Sequence, residues 1–248
     1  MILKIQNVKK YFGGVKAVDD CSFEVEEKKI TALLGPNGSG KTSIFNIISG
    51  IINVDYGNIL LNALDITNKT PEKISNLGIS RLFQKARLFE NLSVEDNLML
   101  SVNNQDMKFF NNLFGFNHFL NNEKEKLNKI LKLLDIEDLQ KKFSKELSYG
   151  QQRLVEITRT FLNPHLLVLL DEPVAGVNPN TRDKFAKFLL DMKNDGESIL
   201  LIEHDMRFTF SIADKIIVLH EGKIIAEGSS EEIKNNELVR KVYLGEKI

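Results

Sequence analysis

Apolar and polar positions along the chain follow two kinds of pattern. In the first third, short apolar runs alternate with turn residues. Ile2–Val8, Val15–Val25 and Ile30–Leu34 read as strands, and Gly13-Gly14 marks the turn between the first two. Residues 42–50 carry Ile44, Phe45, Ile47 and Ile48 at helical spacing and end at Gly50. A short strand is predicted at Ile59–Leu61. Thr70-Pro71-Glu72 opens a helix with proline at its first position, and Ile79–Phe83 is a further strand. From residue 166 onward strand and helix alternate. Leu166–Leu170 is apolar throughout, as for a strand buried on both faces. Pro179–Met192 is predicted as a helix, Ser198–Ile202 and Lys215–Leu219 as strands with a helix between them. Ser229-Ser230-Glu231-Glu232 has the form of a capping box opening a C-terminal helix.

The middle is different. Ser93-Val94-Glu95-Asp96 opens a helix, and residues 101–122 form a loose stretch rich in Asn and Phe. Residues 123–135 place Leu127, Ile130, Leu131 and Leu134 on one face of a charged helix, and Gly150–Leu162 is helical. The expectation is an α/β chain whose residues 1–83 and 163–248 flank a helical insertion at 84–162.

Composition narrows this only a little. The 248 residues are 42% hydrophobic and 27% charged, an ordinary globular balance with enough apolar material for a substantial core. A net charge of −1 gives no global attraction to nucleic acid or anionic lipid, so bound phosphates must be held by local groups. The single cysteine, Cys21, excludes an intrachain disulfide and lies in a predicted strand, where a buried small side chain is expected. The N-terminus goes straight into a strand pattern with no secretory signature. No apolar run approaches the roughly 18–20 residues that span a bilayer. A cytoplasmic protein is expected, with any membrane link made through a partner.

Chemistry enters at Gly35-Pro36-Asn37-Gly38-Ser39-Gly40-Lys41-Thr42, a complete P-loop pattern between an apolar strand and a helix. Its glycines let the backbone curl so that successive N–H groups point at phosphate oxygens, and the helix N-terminus adds positive potential. Lys41 supplies a full charge to the β- and γ-phosphates, the Thr42 hydroxyl can ligate Mg²⁺, and Ser43 belongs to the same nucleotide cradle. A buried strand ending in Asp171-Glu172 sets two carboxylates at the carboxyl edge of the sheet, where such folds bind ligands. Neighbours on a strand point opposite ways, so Asp171 is expected to hold Mg²⁺ through water and Glu172 to polarise the attacking water.

Leu147-Ser148-Tyr149-Gly150-Gln151-Gln152, about 20 residues before Asp171, resembles the signature of the ATP-binding-cassette (ABC) ATPases, with Tyr149 where the family has its first glycine. Gln84 after Ile79–Phe83 resembles the family's Q-loop glutamine, His204 its switch histidine, and Phe12 the aromatic that stacks on adenine, with Tyr11 as a rival. The resemblance covers the whole chain. It implies a P-loop NTPase core of the ABC ATPase kind, with an N-terminal antiparallel β subdomain and an inserted α-helical subdomain. It implies catalytic roles for Lys41, Gln84, Glu172 and His204. Metal contacts are implied at Thr42, Gln84 and Asp171, and nucleotide contacts at Phe12, Gly35–Ser43, Ser148, Gly150 and Gln151. It also implies a head-to-tail dimer (homodimer, or heterodimer with a second ABC ATPase) whose two ATPs each lie between one P-loop and the other signature.

The segment Ala175-Gly176-Val177-Asn178-Pro179 departs from the family's Ser-Ala-Leu-Asp by placing Asn178 where an interface carboxylate is usual. That departure, Arg81–Phe89, Ile202–Met206 and the ending Tyr243-Leu244-Gly245-Glu246 resemble ATPase subunits of branched-chain amino-acid importers, with transmembrane permeases and a periplasmic binding protein as partners. The lipopolysaccharide-export ATPase is a related alternative. A soluble ABC ATPase acting on ribosomes or DNA fits less well. Fewer than 130 residues separate Thr42 from Asp171, too few for a long coiled coil, and only one cassette is present. Leu88, Phe89 and part of Phe109–Phe119 are expected to line the groove that receives a permease helix.

Overall fold

The computed structural model describes residues 1–83, 88–102, 117–175 and 179–244. Gln84, Lys85, Ala86, Arg87, the phenylalanines at 109, 110, 114 and 116, Gly176–Asn178, Gly245 and Glu246 lie outside these residues, as does every expectation attached to them.

Two sheets organise the strands. The first has the order β2-β1-β4-β5, built from β1 (Leu3–Phe12), β2 (Val15–Val25), β4 (Tyr56–Leu61) and β5 (Leu64–Asp65), all antiparallel. The second has six strands in the order β10-β9-β3-β8-β7-β6: β3 (Ile30–Leu34), β6 (Ile79–Leu82), β7 (Leu167–Asp171), β8 (Ile199–Ile202), β9 (Lys215–His220) and β10 (Lys223–Gly228). Here β9, β3, β8 and β7 run parallel, and β10 returns antiparallel to β9. Four strands are buried at every position or nearly so, the mark of a sheet covered on both faces.

Strand β4 starts three residues earlier than predicted and the two-residue β5 was not predicted. Two further strands differ from expectation for clear reasons. The first runs on to Phe12 rather than stopping at Val8, because Asn7 adopts a left-handed φ of 48° and the pairing with β2 shifts register three times. A bulge of this kind breaks the polar–apolar alternation while the ladder continues. The second, β10, was not predicted. It is joined to β9 by Glu221-Gly222, both at positive φ, a two-residue hairpin turn.

Compact packing divides the chain into two units: Met1–Arg81, His165–Glu172 and Leu189–Ile248 in one, Leu82–Pro164 and Pro173–Phe188 in the other. The first unit holds both sheets and a core in which Phe45 and Ile48 of α1 (Lys41–Ile48) meet Leu33, Leu169, Leu200 and Ile217 of the larger sheet. The short helix α2 (Pro71–Asn76) starts as predicted, with Thr70 as its cap.

The second unit is helical, with α3 (Val94–Val102), α4 (Asn117–Leu134) and α5 (Tyr149–Leu162), followed by the start of α6 (Pro179–Asn194). Helix α4 begins six residues earlier than predicted. Its face of Leu127, Ile130, Leu131 and Leu134 is buried as its period requires. Asn97 of α3 is fully buried. Its side chain bonds both backbone groups of Phe89 and the Ser144 hydroxyl, fixing the loop that carries Leu88 and Phe89. Phe89 itself is 57% exposed. Helices α7 (Met206–Ile212), α8 (Ser230–Asn235) and α9 (Glu237–Leu244) complete the chain. No helix among the described residues is long and apolar enough to cross a membrane.

Candidate functional site

A cavity of about 640 Å³ opens at the carboxyl edge of the larger sheet. Its floor is the P-loop. Asn37, Gly38, Ser39, Gly40, Lys41, Thr42 and Ser43 line it, with Glu172 and His204 on one side. The loop holds this shape because its glycines do what other residues cannot. Gly38 and Gly40 are left-handed at φ 79° and 107°. A Cβ on Gly40 would lie 2.3 Å from the Ala17 carbonyl oxygen, whereas one on Gly38 would meet nothing within 4 Å. Gly40 is thus gripped from behind, and Gly38 faces the open cavity. Gly35 and Pro36 stand behind the loop: a Cβ on Gly35 would fall 2.3 Å from Ser39 Oγ and 2.4 Å from the Leu219 carbonyl oxygen.

Lys41 is buried. Its ammonium donates to the carbonyls of Gly35 at 2.7 Å and Pro36 at 2.9 Å. Burial pushes its pKa down, while the charges of Glu172 and Asp171 oppose the shift. Helix α1 starts at Gly40 with no side-chain cap, so its first N–H groups point into the cavity as an anion site. These features fit a polyphosphate chain: a desolvated cation, uncapped donors and a glycine wall with room beyond it.

The two carboxylates separate more sharply than strand alternation predicts. Strand β7 ends at Asp171, whose side chain is buried and paired with Arg81 at 3.1 Å. Glu172 has left the strand. It sits at a left-handed φ of 48°, tied by its N–H to the Ile202 carbonyl at 3.0 Å. Such a conformation costs a non-glycine residue about 1–3 kcal/mol and is retained where the surroundings enforce it. The turn carries the Glu172 carboxylate to the cavity, where it meets His204 Nε2 in a hydrogen bond. His204 is held there by the turn after β8, and the next residue, Asp205, caps α7.

The structure also assigns cavity positions that sequence reasoning missed. Lys16, Asp19 and Lys223 form its rim. Asp19 accepts from the Tyr11 hydroxyl at 3.0 Å, lies 3.3 Å from the Lys16 ammonium and 3.5 Å from that of Lys223. The Tyr11 hydrogen bond is the main cause of its lowered pKa. With its phenol committed to Asp19, Tyr11 is a poorer stacking surface than its neighbour. Phe12 is 45% exposed and does not line the cavity, and the Lys10 ammonium lies 5.3 Å from its ring centre. Cys21 is fully buried, donates from Sγ to the Gly222 carbonyl at 3.0 Å, and has its pKa pushed up to about 11 by burial.

In the helical unit, α5 starts one residue earlier than predicted, with Ser148 as its cap. Its hydroxyl accepts from the Gln151 N–H, and the Gln151 side chain accepts from the Ser148 N–H at 3.0 Å, a complete capping box. Gly150 leaves open space, with nothing within 4 Å of a Cβ built on it.

With this geometry in view, residues 18–175 match the family described as "ABC transporter", and residues 223–247 match "Branched-chain amino acid ATP-binding cassette transporter". Among curated proteins, a probable branched-chain amino acid transport ATP-binding protein, LivG, of Archaeoglobus fulgidus is 37% identical across 98% of this chain and 95% of its own length. The high-affinity branched-chain amino acid transport ATP-binding protein BraF of Pseudomonas aeruginosa is 34% identical over 99% of this chain and 98% of its own. A solved nucleotide-free ATP-binding cassette from an ABC transporter superposes with a TM-score of 0.82 at 34% identity, covering 99% of each chain.

Proposed function

The chain belongs to the ABC transporter family as an ATP-hydrolysing subunit, and from that premise we propose that it powers the import of branched-chain amino acids. The observation that carries the substrate class is the match of residues 223–247 to the branched-chain amino-acid cassette family, because this segment lies outside the P-loop, the signature and the Asp171-Glu172 pair. The relatives named for the same transport, similar along nearly the whole chain, support it.

In this reading the P-loop from Gly35 to Ser43 and the Lys41 ammonium take the ATP phosphates, and Phe12 stacks on adenine. Thr42 and Asp171, with Gln84, hold Mg²⁺. Their hard oxygens suit that ion, and no group of three or more His, Cys, Asp or Glu side chains among the described residues forms a metal cage. Oxygen donors of this kind suit a small ion that keeps water and nucleotide phosphates among its ligands. When bound, Mg²⁺ neutralises charge developing on the phosphates. Glu172 orients and deprotonates the attacking water, and His204 holds the Glu172 carboxylate at the cavity and senses the γ-phosphate. Ser148, Gly150 and Gln151 complete the site of a second cassette in a head-to-tail dimer, which is either a second copy of this chain or a related ATPase.

Residues 1–83 and 163–248 act as the catalytic core and 84–162 as the helical subdomain. The exposed Phe89 and its neighbour Leu88 receive a short helix of the transmembrane permeases, which hold the chain at the inner face of the membrane. A periplasmic binding protein delivers the amino acid on the far side.

The test is a pull-down of tagged Glu172→Gln protein with Mg-ATP from detergent-solubilised membranes of its own cell, with partners identified by mass spectrometry. Two multi-span permeases of the amino-acid type are expected. Recovery of a lipopolysaccharide-type permease would replace the substrate class, and recovery of ribosomal or DNA-bound proteins without any membrane protein would sink the transport reading. A Leu88→Asp, Phe89→Asp variant that folds and still recovers the permeases would place docking elsewhere.

A further inference from the structure

Behind the phosphate cavity lies a buried arginine to which none of the motifs gives a chemical role. Arg81 sits on β6, the edge strand next to β7, three residues before Gln84 in the chain. Its guanidinium is engaged on three sides. One terminal nitrogen donates to Asn46 Oδ1 at 2.9 Å and to Ser49 Oγ at 2.6 Å, and the other to Asp171 Oδ2 at 3.1 Å. The group also lies over the Phe45 ring, 5.6 Å from its centre. Asn46 and Phe45 belong to α1, the helix that the P-loop opens, and Ser49 closes it. Side-chain exposure is 6% for Arg81 and 2% for Asp171, so neither charge is shared with bulk water.

We propose that Arg81 is a positioning residue for hydrolysis: it pins the Asp171 carboxylate in one orientation and locks it to the P-loop helix, so that the metal carboxylate and the phosphate cradle move as one body. The inference rests on the reading of Asp171 as a metal-holding carboxylate given above. Several physical points carry it. A planar guanidinium holds a carboxylate and two helix side chains in a fixed fork, whereas an ammonium on a flexible stem leaves their relative orientation free. Burial pushes the Arg81 pKa down and Asp171 opposes the shift, so each charge is the other's compensation. Groups that hold a metal ligand from behind change metal affinity by roughly 10–100-fold when removed, without touching the metal. Strand β6 also joins the sheet edge directly to that carboxylate, since β6 and β7 are neighbours.

The experiment measures the affinity of the purified chain for a fluorescent ATP analogue in EDTA and across a Mg²⁺ titration, with thermal unfolding alongside. Wild type is compared with Arg81→Met, Arg81→Lys, Asp171→Asn and the double variant Arg81→Met, Asp171→Asn. Arg81→Met is expected to lose about 10-fold of the tightening that Mg²⁺ brings, with affinity in EDTA changed less than about 2-fold. Arg81→Lys should recover part of the loss, and Arg81→Met should add nothing to Asp171→Asn. If Arg81→Met alone is too unstable to study, the double variant, which removes both buried charges, should unfold at a higher temperature than Arg81→Met. Arg81→Lys against wild type then carries the Mg²⁺ comparison. Equal losses in EDTA and Mg²⁺, or losses additive with Asp171→Asn, would overturn the inference and leave Arg81 a support of α1. An Asp171→Asn variant keeping the full Mg²⁺ effect would overturn the metal reading and this inference with it.

Discussion

Two helices in this molecule begin at segments that meet nucleotide phosphates in the family it belongs to, and they begin in opposite ways. Helix α1 starts at Gly40, in a left-handed conformation with no side-chain cap. Its N-terminal donors are held open by backbone geometry alone. Helix α5 starts at Ser148, where Ser148 and Gln151 satisfy one another's N–H groups in a closed capping box. The first helix is a formed anion site. The second has the same groups engaged within the chain, so an anion arriving there must exchange them for new bonds. On the function proposed above, affinity would rest in the core unit, and the helical unit would make a contact only when something worth the exchange is presented. The two arrangements predict different responses to substitution.

The largest effect belongs to the core unit. Glu172 is brought to the cavity by a strained turn, so its carboxylate rather than its bulk is what the geometry supplies. Glu172→Gln should lower ATP hydrolysis by about 10²–10⁴-fold while leaving nucleotide binding within a few-fold. Single-turnover phosphate release and equilibrium binding separate the two. Wild-type turnover in this variant would remove Glu172 from its role.

Next comes Gly40→Ala. It combines a left-handed φ with a 2.3 Å approach to the Ala17 carbonyl, so the P-loop must deform. Nucleotide affinity should fall by about 10–100-fold, on the strain of 1–3 kcal/mol expected at such a position. An unchanged affinity would mean that the open helix start does not depend on Gly40.

A third test asks how the open loop is held from behind. Gly222 accepts from Cys21 Sγ and from the Asp19 N–H at 2.7 Å, and donates to the Ser39 carbonyl at 3.0 Å. The Cys21 thiol is raised from 9.0 to about 11, so the folded chain favours the protonated, donating form. Its contribution is complete below the unfolded value near 9 and is lost as pH rises through about 11. Stability should drop by about 2–3 kcal/mol over that window, and Cys21→Ala should flatten the drop. Chemical denaturation at pH 8, 9.5 and 11 measures it. An identical slope in the variant would assign the loss to other groups.

These tests also separate what the sequence made legible from what it did not. The P-loop is local: eight consecutive residues encode both a conformation and a charge, and their cavity can be named without knowing the rest of the fold. Asp171 and Glu172 were placed correctly at the edge of the sheet, but alternation was the wrong reason for their divergence, since Glu172 stands past the strand in a left-handed turn. Lys16, Asp19 and Lys223 reach the rim through the β2 edge and the β9–β10 hairpin, and Glu221-Gly222 was not read as a hairpin turn. Arg81 meets Asp171 across 90 positions of sequence, a pairing that no window of local pattern contains. Asn97 was equally silent, because a buried asparagine in a helix opening with Ser93 looks like any other polar residue until its bonds to Phe89, Leu92, Ser93 and Ser144 are known. Each missed residue has at least one partner brought in by topology rather than by spacing: Asp171 for Arg81, Lys223 for Asp19 and Ser144 for Asn97.

The smallest effect is the sharpest test of the comparison, because its two halves have opposite signs. Ser148→Ala removes one side of the α5 capping box and should destabilise the helical unit by about 1 kcal/mol. Gly150 lies inside α5, is not left-handed, and leaves space where a Cβ would go. Gly150→Ala should therefore raise stability by about 0.5–1 kcal/mol, since alanine loses less backbone freedom in a helix. Hydrogen exchange over residues 149–162 reads both changes. The same glycine-to-alanine exchange is thus expected to damage α1 at its start and to strengthen α5 in its first turn. If Gly150→Ala instead loosens α5, the second helix is under a constraint like the first, and the contrast between an open and a closed start does not hold. If it tightens α5 yet slows hydrolysis, the glycine is present for the approach of an anion rather than for the helix, and the closed box is the resting form of a site that opens to receive it.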